Sequence, residues 1–144
     1  MKIAYFDCFC GAGGDMIVAS LIDAGADLDA LRESLSHLDI PGYSISVERV
    51  NRRGFPATKF HVTLDTEEHQ PDRNLQDIIA ILDTAAFPEP VYHRAVSIFE
   101  RLANAEAKVH GTSIEKVHFH EVGAVDAIVD VTAAVLTQIG RAHV

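Results

Sequence analysis

Tyr43-Ser44-Ile45-Ser46-Val47-Glu48-Arg49-Val50 alternates apolar and polar side chains with a period of two, and residues 58–64 repeat the pattern. Such alternation turns one face to a core and the other to water, as a half-buried strand requires. Asn51, Gly54 and Pro56 stand between the two runs and favour a reversal, so an antiparallel hairpin is expected. Outward from the hairpin the period changes to that of helices, expected over 14–24, 27–38, 74–84, 90–110 and 122–138. Asp27 reads as an N-cap, Pro41-Gly42 ends the second helix, and Gly111 ends the fourth. Residues 2–7 read as a short buried strand. The expected class is α+β, with helices packed on a small, mainly antiparallel sheet. The alternative is a mixed α/β sheet with the first strand central.

The chain has 144 residues, enough for one domain that buries about two-thirds of its unfolded surface. That domain is expected over 1–138, with 139–144 an unrelated or truncated tail. Twelve basic residues stand against 21 acidic ones, a formal charge of −9, which argues against general binding to nucleic acid or anionic membranes. No run approaches the ~20 apolar residues of a membrane span. Met1-Lys2 leads into strand and not into a signal peptide, so a cytoplasmic location is expected. Cys8 and Cys10, the two cysteines, should be free thiols there, and small buried side chains first of all.

The densest chemistry lies late, in Val117-His118-Phe119-His120-Glu121-Val122-Gly123-Ala124-Val125-Asp126-Ala127-Ile128-Val129-Asp130. Burying that many polar groups among apolar ones costs free energy unless they are paired or bound to metal. Extended backbone at 118–120 would put both imidazoles on one side and turn Phe119 to the core. On a helix, Asp126 and Asp130 share a face, flanking an apolar arc of Val122, Val125, Ile128, Val129 and Leu136. Imidazole with carboxylate suits Zn, Fe, Ni or Mn; the plainer reading is a solvated flank after a loop.

Two further features accompany it. Glu106 falls near Leu102 and Phe99 on a helix whose apolar side also includes Val109, and His110 follows one turn later, within reach of it. At the other end, Asp7-Cys8-Phe9-Cys10-Gly11-Ala12-Gly13-Gly14-Asp15-Met16 joins strand to helix through glycines, an arrangement that offers backbone N–H groups to an anion. It matches neither a Walker loop nor a dinucleotide fingerprint, and its aspartates would repel bare phosphate unless a divalent cation bridges them. Arg49, Arg52, Arg53 and Lys59 collect on the hairpin, where guanidinium groups could meet phosphate or carboxylate.

The stretch Asp7-Cys8-Phe9-x-Gly11-x-x-Gly14-Asp15-Met16 resembles the opening of the LarC family of nickel insertion proteins. The likeness continues through Arg53-Gly54, Ala105-Glu106-Ala107-x-Val109-His110-Gly111 and Val117 to Asp126. Cys10 and Gly13 stand where that family usually has serines, and only His69 precedes Gln70-Pro71 where many members carry a histidine run. Family chains are several times longer, so this one reads as an N-terminal fragment lacking a C-terminal domain.

The resemblance implies insertion of nickel into pyridinium-3,5-bisthiocarboxylic acid mononucleotide, with CTP and a divalent cation required through the missing domain. The fragment alone is then expected to be inactive. On this reading His118, His120, Glu121 and Asp126 hold the metal. Glu106, His110 and Asp7 take catalytic roles, since forming a carbon–metal bond releases a ring proton. Gly11, Gly14, Asp15 and Arg53 bind the nucleotide. A homo-oligomer is compatible with the sequence. A non-catalytic nickel carrier and a metal-dependent phosphohydrolase are the alternatives.

Overall fold

A computed structural model describes residues 3–65, 71–119 and 124–139. The chain runs α1 (Gly14–Asp23), α2 (Leu28–Leu35), β1 (Tyr43–Arg52), β2 (Phe55–Leu64), β3 (Arg73–Asn74), α3 (Leu75–Thr84), α4 (Glu89–His110), a 3₁₀ turn (Ile114–Lys116), β4 (His118–Phe119) and α5 (Val125–Ile139). β1 pairs antiparallel with β2, and β3 with β4, as two separate two-stranded sheets. The class is α+β, as the alternation and helical periods indicate.

The hairpin register runs from Tyr43 opposite Leu64 to Arg52 opposite Phe55, leaving Arg53 and Gly54 as a two-residue turn. Both have positive φ, 52° and 90°, which matches the twist of the flanking strands. Asn51 Oδ1 accepts the Gly54 N–H at 2.8 Å and holds the turn closed.

Caps fix the helix starts. Asp27 accepts the N–H groups of Asp29 and Ala30 at the head of α2. Asn74 and Asp77 form a reciprocal capping box at α3. Gly111 ends α4 in the left-handed region, as expected.

α5 is the centre of the fold. Val125, Ile128, Val129, Thr132, Ala133, Val135, Leu136 and Thr137 are all buried, more of its circumference than an amphipathic surface helix encloses. It packs against α1, α2, α4 and β2, and the hairpin reaches this core through Phe60. The apolar arc expected on this helix is present at Val125, Ile128, Val129 and Leu136, while Val122 lies outside the described residues.

Three expectations are corrected. Residues 3–8 form no strand, and Ile3, Tyr5 and Phe6 are exposed. A strand needs a neighbour for its backbone groups, and no described element runs beside this one. The alternative of a sheet built around a central first strand falls with it. Cys8 and Cys10 are free, as expected, but exposed and not buried. On α4, Val109 is exposed, and the buried stripe is Val91, Ala95, Phe99, Ala103 and Ala107. Each four-residue step turns the helix by about 40° beyond a full turn. The buried line therefore drifts along a helix of this length, and its last turn presents Ala107 in place of Glu106 and Val109.

Candidate functional site

Residues 3–13 lead into α1 through a turn in which the Gly11 N–H donates to the Cys8 carbonyl at 2.9 Å. Gly11 has φ +82°, a conformation that suits glycine. Asp7 is exposed at this loop. Among the described residues no side chain caps α1, and Asp15 occupies its first turn, where a carboxylate favours the positive end of the helix dipole.

α1 begins directly against α5. A β-carbon built at Gly14 would lie 2.8 Å from Cβ of Asp130, so only glycine permits this approach. Asp130 feels two further carboxylates there, Asp15 from the head of α1 and Asp126 one turn earlier on α5. Asp130 is the most enclosed of them. Burial, then the charges of Asp15 and Asp126, push its pKa up to about 6, against a smaller downward pull from the Asp15 backbone N–H it accepts. Its Oδ1 is buried without a hydrogen-bond partner among the described residues.

The other expected residues stand in separate places. His118 is exposed on β4 with its Cα opposite Asn74, while its neighbour Phe119 is buried opposite Arg73. The alternation expected around Phe119 is thus present for this pair. His120 and Glu121 lie outside the described residues. Glu106 and His110 do meet across one turn, His110 Nε2 standing 3.1 Å from Glu106 Oε1 at the partly exposed end of α4. Among the described residues, no three His, Cys, Asp or Glu side chains are placed to hold a metal ion together.

The hairpin's basic group is partly engaged. Asp23 at the end of α1 accepts from Thr58 Oγ1 at 2.7 Å and pairs with Arg49. The Thr58 bond first, and then Arg49, hold the Asp23 carboxyl below its usual range. Lys59 faces Glu48 across the ladder, and Glu48 also meets His61 Nε2 at 2.7 Å. That bond is the main reason its pKa is lowered. Arg52 and Arg53 remain exposed beside and in the turn.

Sequence reasoning left one residue out of the site and missed one buried charge elsewhere. Asp130 is absent from the expected ligand set although it shares a face with Asp126; the signal was their four-residue spacing together with a glycine at the head of α1. Arg73 is buried ahead of α3, where burial lowers its pKa and Asp77 opposes that effect. Nothing in its sequence neighbourhood marks it as an inside arginine.

The model of the nickel insertion protein family matches residues 4–140. A Geotalea uraniireducens (strain Rf4) protein named for nickel insertion is 51% identical over 150 residues, covering 100% of this chain and 38% of its own length. The pyridinium-3,5-bisthiocarboxylic acid mononucleotide nickel insertion protein of Desulfitobacterium hafniense (strain DSM 10664 / DCB-2) is 47% identical over 137 residues, covering 94% of this chain and 33% of its own length. The chain belongs to the nickel insertion protein family. It spans about a third of the length of the curated relatives it matches. No solved structure matches it. No helix among the described residues is long and apolar enough to cross a membrane.

Proposed function

We propose that the chain takes part in inserting nickel into pyridinium-3,5-bisthiocarboxylic acid mononucleotide, in a cytoplasmic protein of its relatives' length. The observation that carries this reading is the docking of Gly14 and Asp15 on Asp130, which brings the family-like opening against the helix that carries Asp126 one turn earlier. Their negative charge suits a cationic substrate such as Ni²⁺. His118, His120 and Glu121 with Asp126 are the proposed nickel ligands, neutral imidazoles binding the ion and carboxylates offsetting its charge.

Glu106 and His110 form a ready proton-accepting pair, since the loss of a ring proton must accompany carbon–metal bond formation. Asp7 belongs to the same proposed chemistry. Gly11, Gly14, Asp15 and Arg53 are the proposed contacts for the nucleotide end, with Arg53 supplying a guanidinium fork for phosphate. CTP, a divalent cation and classification as a lyase belong to the full-length reading, in which this chain alone gives no turnover.

Calorimetric titration of the purified chain with Ni²⁺ tests the ligand set. Wild type is expected to bind one ion, and His118→Ala/His120→Ala to bind at least ~10-fold more weakly with an unchanged circular dichroism spectrum. Equal affinity in the two proteins refutes the assignment of both imidazoles.

A further inference from the structure

Residues 3–9 carry large apolar side chains into solvent. Ile3 is 78% exposed, Tyr5 86% and Phe9 90%. Met16 on α1 and Ile139 at the end of α5 extend the patch at 59% and 46%. Monomeric proteins rarely leave a contiguous apolar surface of this kind uncovered. The backbone is equally unfinished: among the described residues, no backbone hydrogen bond joins residues 3–7 to another element. A run of backbone N–H and C=O groups without partners is a template for strand pairing.

Clefts flank the segment. One, of about 470 Å³, lies between Tyr5, Cys8 and the Met16 side of α1. Another, of about 460 Å³, is lined by Ile3, Phe6, Leu21, Gln138 and Ile139. The last described residue of α5 therefore forms a wall of the same cleft as the exposed segment.

We propose that, in chains of the relatives' length, this face is covered by the polypeptide that follows α5, which pairs as a strand with residues 3–7. Three observations favour that occupant. The end of α5 already stands at the rim, so a short connection reaches the free backbone. The match covers only 38% of the Geotalea relative, so more than enough chain remains outside it to supply a strand. A second copy of this chain is disfavoured by charge, because each copy carries −9. The pairing would enclose Ile3 and Tyr5 and anchor the loop carrying Asp7 and Cys8 immediately before α1. The interface stands or falls independently of the nickel reading, because it rests on apolar exposure and backbone pairing and on none of the metal-type side chains.

Hydrogen exchange read by mass spectrometry decides the matter, comparing the full-length Geotalea uraniireducens protein with the 144-residue chain over a range of concentrations. Amides aligned with residues 3–7 are expected to exchange at least ~10-fold more slowly in the full-length protein, independent of its concentration. Equal exchange in the two proteins, fast or slow, overturns the proposal. Protection that appears only at high concentration of either protein overturns it as well, and assigns the face to a second molecule.

Discussion

Residues 3–10 and α1 are adjacent in sequence and lie within one family-like opening, yet they meet opposite surroundings. α1 is held along its length by α5 and β2, and Val18, Ala19 and Leu21 are buried. The segment before it forms no helix or strand and is exposed. The difference follows from where each element finds its hydrogen bonds. A helix satisfies its backbone internally and needs neighbours only for its apolar stripe. A strand needs a neighbour for every second backbone group as well. An apolar, β-prone run is therefore only half of a strand.

The largest effect is expected where the first region grips the second. Gly14→Ala places a β-carbon 2.8 Å from Cβ of Asp130 and must push α1 off α5. The strain should cost about 1–3 kcal/mol, more than the ~1 kcal/mol that alanine regains in helix propensity. Gly11→Ala is the control from the exposed loop. Among the described residues its β-carbon would meet nothing within 4 Å, so its cost comes from φ +82° and should stay near 1 kcal/mol. Urea unfolding of both variants makes the comparison. If Gly11→Ala proves the more damaging, the α1–α5 contact is not the tight one.

The same contrast explains what could be read from the residues alone. The hairpin, the Asp27 and Gly111 caps and the described part of the α5 arc depend on local pattern and are where the sequence puts them, whereas α2 stops at Leu35, short of Pro41-Gly42. The apolar side of α4 was legible at Phe99 but not in its last turns, because the drift of a long helix depends on which neighbours it reaches. Residues 2–7 have the composition of a strand, but composition does not say which element will lie alongside. For the site, the pairing of Glu106 with His110 follows from spacing. The meeting of Asp15 with Asp130 does not, since nothing local reports that α1 will dock on α5. The expectation for His120 and Glu121 lies outside the described residues.

A middle-sized effect tests the electrostatics of that junction. The pKa of Asp130 is raised to about 6 in the fold, from an ordinary value of 3.8. The folded state thus binds its proton more tightly than the unfolded chain. This contribution to stability is complete below about pH 4 and is lost as pH rises through about 6. Asp130→Asn removes the titration and keeps an oxygen to accept the Asp15 N–H. After allowance for the solvent that still reaches the group, the variant should be more stable than wild type by about 1 kcal/mol at pH 7.5. It should have no advantage at pH 4. Thermal melts at the two pH values check this; an advantage of the same size at both would mean that packing, not charge, separates the proteins.

The smallest effect is expected in the exposed segment. Tyr5 is 86% exposed, so Tyr5→Ala removes almost no buried area and should change stability by less than about 0.5 kcal/mol. That near-silence sharpens the comparison, because the same deletion in a paired and covered strand costs about 3–5 kcal/mol for a large aromatic. The corresponding alanine substitution in a chain of the relatives' length thus measures how far the surroundings of this segment change when more polypeptide is present. A loss of several kcal/mol in the 144-residue chain itself would instead mean that Tyr5 is already packed, and the contrast between the two regions would disappear.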